Sequence, residues 1–127
     1  MLDLLHIENI AIIEQADITF RPGFNALTGE TGAGKSIVID ALSAVLGQRA
    51  SRELIRTGAD HAFVSAVFSQ IPQGLGADMG IEDAEEWLLQ REIYADGKNA
   101  CRLNGRPMTV TQLRTLGNRL LNIHGQH

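Results

Sequence analysis

Cysteine, proline and aromatic residues are all scarce in this sequence, and each shortage closes off a class of structure. Cys101 is the only cysteine among 127 residues. That excludes an internal disulfide framework and fits a reducing cytosol. With three prolines and no Pro/Ser-rich tract, nothing marks a linker, and the length suits one domain able to bury about two-thirds of its unfolded surface. Aromatics make up 5% of residues and do not interleave with basic ones, so a stacking platform for single strands is not indicated. Positive charge is also short: 11 Lys and Arg face 15 Asp and Glu, a formal charge of −4, with an isoelectric point near 5.5. The electrostatic footprint of a stand-alone nucleic-acid binder is therefore missing. The apolar runs Ile10–Ile13 and Ile37–Ile39 soon meet a carboxylate and fall far below the ~18 residues of a membrane span. Met1-Leu2-Asp3 lacks the basic region of a signal peptide. These absences predict a soluble, cytoplasmic domain with no membrane partner.

What the chain does have is glycine, 13 in all, set among short apolar runs. Residues 2–13 and Asp17–Phe20 are predicted as two strands separated by a turn near Glu14–Ala16. Arg21-Pro22-Gly23 is a turn and Phe24–Thr28 a third strand. Lys35 to Leu46 is apolar on nearly all sides, as a helix buried against a sheet would be, and Gly47 is placed to stop it. His61–Phe68 is a further strand. The loop after it holds Pro72, Gly74, Gly76 and Gly80 and leads into Asp78, Glu82, Asp83, Glu85 and Glu86. Those carboxylates lack metal-ligand spacing and are read as a solvated helix start or loop. Leu88–Ala95 and Ala100–Asn104 form a predicted hairpin around Asp96-Gly97, and Asn104-Gly105 turns the chain again. Thr109 with Gln112 three residues on is a capping box. It opens a last helix whose stripe is Val110, Leu113, Leu116, Leu120 and Leu121. Strands around a buried helix make an α/β fold with a mixed or antiparallel sheet.

Gly29-Glu30-Thr31-Gly32-Ala33-Gly34-Lys35-Ser36 matches G-x-x-x-x-G-K-[ST]. Glycines let the loop curl so that successive backbone N–H groups point at phosphate oxygens. Lys35 sets a positive charge against the β- and γ-phosphates, Ser36 offers a hydroxyl to Mg²⁺, and the helix N-terminus adds its dipole. The four fixed positions occur by chance in roughly one chain of this length in several hundred, and here a predicted strand precedes them and an apolar helix follows. Nucleotide binding is the direct inference. Hydrolysis needs more: a carboxylate at the end of another apolar strand, to hold the Mg²⁺ shell and place the water. None is well placed. Ile37-Val38-Ile39-Asp40 lies on the helix itself, His61–Phe68 runs into Ser69, and Leu120–Ile123 runs into His124. The chain carries half a catalytic site.

The stretch LTGETGAGKSIVIDALSAVLGQRA (Leu27–Ala50) resembles the N-terminal segment of the bacterial RecN family, DNA-repair ATPases of the SMC type. HIENIAIIEQADITFRPGFN, REIYADGKNACRLNGRPMT and the closing LLNIHGQH are similar to the same family, so the likeness runs through nearly the whole chain. Glu30-Thr31 and IHGQH point to RecN rather than to SMC-type loops in general. The resemblance implies a P-loop NTPase fold, the N-terminal lobe of an ABC/SMC-type head. It places residues 1–127 in that lobe, with the P-loop at 29–36 and a Q-loop at 124–127, and puts a coiled coil and a C-terminal lobe outside this sequence. It implies ATP and Mg²⁺ as cofactors, with Lys35 catalytic and Gln126 reaching the metal and the attacking water. Arg56 would contact nucleotide phosphate, by position in SMC-type heads. The implied partners are the C-terminal lobe and a second head, with DNA met through the full assembly and turnover dependent on the missing half. The implied location is the cytoplasm, at the nucleoid.

Other candidates are weighed beside these. Arg49, Arg52 and Arg56 share one face if their segment is helical, as a solvated or salt-bridged face or as the source of the phosphate contact. His124 and His127 have H-x-x-H spacing, but two ligands are too few for a closed zinc site. Cys101 is read as a small buried hydrophobe, and Asp40 as a structural hydrogen-bonding group on the buried helix. Two other functions remain open at this stage: a small P-loop kinase, which would need an Arg-bearing lid and an acceptor pocket, and a non-catalytic nucleotide-binding module.

Overall fold

The computed structural model describes residues 1–20 and 32–124, with the backbone alone at 32, 33 and 124. Its elements, in chain order, are β1 (Leu2–Ile10), β2 (Ile13–Thr19), α1 (Gly32–Val45), β3 (His61–Ser69), β4 (Glu86–Tyr94), β5 (Asn99–Leu103), β6 (Arg106–Met108) and α2 (Val110–His124). The strands form one antiparallel sheet in the order β2-β1-β3-β4-β5-β6. The predicted turn at 21–23 and strand at 24–28 lie outside the described residues.

Period-two patterning decides which face of the sheet is covered. Leu5 and Ile7 of β1, Val64 and Ala66 of β3, Leu89 of β4 and Leu103 of β5 are all buried, and the strand registers bring them to one face. Both helices lie there, α1 across β1, β3 and β4, and α2 on β5. From α1 come Ile37, Val38, Ala41, Ala44 and Val45, and from α2 Leu113, Leu116 and Leu120. Each fully buried leucine or valine contributes about 1.5–3 kcal/mol, so this apolar layer holds the two helices in place.

The ends of the helices follow the sequence closely. Gly47 takes φ +87, its N–H donates to the Ala44 carbonyl (3.0 Å), and the Gln48 N–H reaches the Ser43 carbonyl (3.1 Å). That pair of bonds is a Schellman motif, which needs a left-handed residue where glycine stands. At the start of α2, the Thr109 N–H donates to Gln112 Oε1 (2.9 Å) and the Gln112 N–H donates to Thr109 Oγ1 (3.0 Å). Thr109→Ala removes one half of this box and is expected to lower stability by about 1 kcal/mol. Urea unfolding checks it, as a lower midpoint with an unchanged slope.

Three local expectations are corrected. The β1–β2 turn sits at Ala11 and Ile12, not near 14–16, because Ile10 pairs with Ile13 and Glu8 with Gln15. No Gly or Pro announces it; Asn9 and Ala11 take φ +56 and +51, and the Ala11 N–H is held by the Leu54 carbonyl at 2.8 Å. The short strand β6 was not anticipated. It follows a two-residue turn in which Asn104 and Gly105 both have positive φ, the primed geometry that suits a tight hairpin. Finally, residues 49–56 are no helix beyond a single 3-10 turn, Arg52–Leu54, so Arg49, Arg52 and Arg56 share no helical face.

On the sheet face away from the helices, His6 bridges two strands. Its Nδ1 lies 2.6 Å from Asp17 Oδ1 and its Nε2 lies 2.6 Å from Glu8 Oε2. Burial alone would lower its pKa, but hydrogen bonds to Glu8 and Asp17 outweigh it and hold the imidazole above its usual 6.5. A raised folded-state value means the imidazolium stabilises the fold. That contribution is complete below the unfolded value and fades as pH rises through the folded one. The melting-temperature deficit of His6→Gln is therefore expected to be larger at about pH 6 than at about pH 8.5. Equal deficits at both would contradict it.

Candidate nucleotide site

The structure places the last five residues of the phosphate motif in the first turns of α1, which begins at Gly32. Gly34 follows half-buried, and Lys35 and Ser36 are exposed, while the next two side chains, Ile37 and Val38, turn into the core. The helix thus anchors itself by its aliphatic face and presents the ammonium and the hydroxyl outward at its amino end. That end carries the positive pole of the helix and N–H groups without intrahelical partners. No acidic residue occupies the first turn of the described helix. The donor set, an ammonium with a hydroxyl beside a helix N-terminus, suits phosphate and a hard divalent cation. Gly29, Glu30 and Thr31, and at the other end Gly125, Gln126 and His127, lie outside the described residues.

Arg56 sits beside the β1–β2 hairpin. Its N–H donates to the Asn9 carbonyl at 2.8 Å, and its guanidinium is 3.8 Å from Glu14 Oε2. Arg52 donates to the Ala95 carbonyl at 3.3 Å. Arg49 lines an open groove with Asp40, Ser43 and Glu53. Asp40 is exposed. Cys101 is buried as expected, and burial pushes its thiol pKa up.

The acidic stretch works as loop structure. Asp78 accepts a two-pronged contact from Arg119 of α2, both bonds 2.8 Å, and Asp83 Oδ1 accepts the Gly74 N–H at 2.7 Å. No group of three metal-ligating side chains occurs among the described residues.

Sequence reasoning missed what grips the other end of α1. Arg91 of β4 is buried, and its Nη1 donates to the carbonyls of Ala44 (2.8 Å) and Gln48 (2.6 Å). Arg114 of α2 donates from Nε to the Gly47 carbonyl at 3.0 Å. Two cations thus cap the negative pole of the helix whose positive pole carries the phosphate motif. A signal was present: Trp87, Leu89, Arg91 and Ile93 alternate along β4, which puts an arginine on the core face.

With the geometry in hand, the chain can be set beside known proteins. The family model described as AAA domain matches residues 4–98. The full length of the chain is 46% identical to DNA repair protein RecN of Bacillus subtilis (strain 168), of which it covers 23%. It is 44% identical to the RecN of Vibrio cholerae serotype O1, of which it covers 24%. The chain thus spans about a quarter of the length of these curated relatives.

Among solved structures, it superposes on a chain described under ATP-driven dimerization and DNA-stimulated activation of SMC ATPases. The TM-score is 0.74 at 28% identity, covering 94% of this chain and 79% of that one. The SMC head domain from Thermotoga maritima gives 0.67 at 28% identity, over 89% of this chain and 40% of that one. Neither helix of the described residues is long and apolar enough to cross a membrane. The fold is that of a P-loop NTPase lobe of the SMC-head kind. Because the family match runs from β1 into the β4–β5 turn and takes in α1 whole, fold and motif are shared together: the chain belongs to the AAA domain family, as a RecN-like member.

Proposed function

We propose that this chain is the ATP-binding lobe of a RecN-like enzyme of DNA double-strand-break repair. One observation carries the reading most directly: α1 turns Ile37, Val38, Ala41 and Val45 inward and leaves Lys35 and Ser36 exposed at its amino end. In this reading the backbone amides of residues 29–34 curl around the phosphates, and Lys35 sets its charge against the β- and γ-phosphates. Ser36 and Gln126 hold Mg²⁺, which when bound offsets the phosphate charge. Gln126 also places the attacking water, and Arg56 reaches a phosphate once it leaves Glu14. Residues 1–127 make up the first lobe of the head, with the P-loop at 29–36 and the Q-loop at 124–127. The coiled coil and C-terminal lobe follow in the longer protein.

The carboxylates for hydrolysis come from that second lobe and from a second head closing over the nucleotide. This chain alone binds ATP without turning it over. DNA is met by the assembled dimer, at the nucleoid of the cytoplasm, since a lobe with a charge of −4 has no footprint for it. Calorimetric titration of the folded chain with ATP and Mg²⁺ tests the reading. Saturable heat supports it, and no heat with either ATP or GTP removes it. Gain of hydrolysis on adding a separately made C-terminal lobe distinguishes a half-head from a module that only binds.

A further inference from the structure

Arg91 is the one charged residue buried among the described residues, at 3% exposure. None of the ion pairs formed among those residues includes it. A buried, uncompensated guanidinium carries an effective penalty of several kcal/mol, and Arg114 nearby adds like-charge repulsion. Helix capping alone does not account for it, because Gly47 and Gln48 already satisfy the Ala44 and Ser43 carbonyls. An aliphatic side chain facing the core at this position of β4 would satisfy packing at lower cost.

What the arginine adds is direction. The buried side chains of α1 are Ile37, Val38, Ala41, Ala44 and Val45, and contacts of that kind fix the depth of a helix better than its position along its axis. The Arg91 fork supplies directional bonds: Nη1 to Ala44 and Gln48, at 2.8 and 2.6 Å, with Nε braced by Asn99 Oδ1 at 3.0 Å. Asn99 lies across the strand pair on β5, next to Ala100, which pairs with Glu92. The carboxyl end of α1 is thereby pinned to the centre of the sheet. A helix of 14 residues is a rod about 21 Å long, so a pinned carboxyl end fixes where the amino-terminal turn stands.

We propose that Arg91 is a positioning residue for the phosphate site: acting through α1, it sets where Lys35 and Ser36 stand, an inference that rests on the nucleotide-binding reading above. A misplacement of about 1 Å at a site that works by geometry costs one to two orders of magnitude. Arg91→Met is therefore expected to weaken binding of ATP with Mg²⁺ by about tenfold or more, measured well below its melting temperature. Arg91→Lys, which keeps the charge but not the planar fork, is expected to recover part of the loss.

Thr109→Ala is the comparison for destabilisation as such. It lowers the melting temperature through α2 and is expected to bind ATP as the parent does. In the ligand-free proteins, the amide resonances of Lys35 and Ser36 are expected to move in both Arg91 variants and to stay in place in Thr109→Ala. Lys35→Ala separates the two levels of the reading. If Lys35→Ala loses binding while Arg91→Met and Arg91→Lys both bind like the parent, the positioning role is overturned and the nucleotide site stands. If Lys35→Ala binds normally, both fall. Should Arg91→Met fail to fold, Arg91→Lys carries the test alone: parental affinity with unmoved Lys35 and Ser36 resonances overturns the proposal.

Discussion

Gly117→Ala is expected to destabilise the chain by about 3 kcal/mol or more, although alanine is the better helix former by about 1 kcal/mol. Gly117 lies within α2, where propensity alone predicts a gain. A Cβ there would stand 2.1 Å from the Leu46 carbonyl oxygen and 2.8 Å from its carbon. Those are backbone atoms just past α1, fixed by the Schellman turn and by the two arginines, so they have no rotamer to change. Sterics win, and α2 has to lift off the end of α1, uncovering Leu113, Leu116 and Leu120. Gly47 faces the same crossing from the other side: a Cβ on it would lie 2.3 Å from the Arg114 nitrogen. The loss is a large share of the 5–15 kcal/mol that holds an ordinary domain. Urea unfolding of the variant beside Thr111→Ala, an exposed site on the same helix, makes the measurement. A Gly117→Ala midpoint at or above the parent's would show that the two helices do not cross this closely.

Lys35→Ala is expected to do the reverse, leaving the fold intact and removing most of the affinity for ATP. Lys35 is exposed on α1, and alanine is the better residue for the helix, so melting should change little. What is lost is a charge-assisted contact to phosphate, about 1.5–3 kcal/mol, or roughly one to two orders of magnitude in Kd. The loss should shrink as salt is raised if Lys35 contributes mainly by charge. Calorimetry on both proteins at two salt concentrations measures it. An unchanged Kd in a folded Lys35→Ala protein would place the phosphates elsewhere.

Much of this architecture was legible because the deciding physics was local. The Thr109–Gln112 box, the stop at Gly47 and the Asp96-Gly97 turn are set within a few residues, and each stands where the pattern put it. The phosphate motif could be recognised because glycine spacing, lysine and serine must all coincide. Errors arose where a long-range contact overrode local preference. The run Ile10–Ile13 looked like strand interior, yet it turns at 11–12 because Leu54, more than forty residues on, accepts the Ala11 N–H. Arg49, Arg52 and Arg56 would share a face only in a helix, and the segment is not one, because Ile10 bridges to Ile55 and draws it along the sheet.

Arg91 and Gly117 were passed over for a related reason. One is a polar residue that pattern reading expects outside, and the other a helix-breaker inside a helix. Both meet the carboxyl end of α1, Arg91 from β4 and Gly117 from α2, in contacts that no sequence window spans. The roles of Gln126 and of residues 29–31 rest on family likeness and motif alone.

Length variation should fall unevenly along this chain. β1 and β3 are neighbours in the sheet although residues 11–60 run between them. β2, the phosphate motif and α1 lie in that span, so added residues are tolerated only in the connection from α1 to β3, where doubling a loop costs only about 0.6 kcal/mol of closure entropy. Between β4, β5 and β6 the connections are residues 95–98 and 104–105. There a single added residue would slip the register and turn Cys101 and Leu103 out to solvent. The connection into β3 tolerates evolutionary editing, and the hairpins from β4 to β6 are held to the residue.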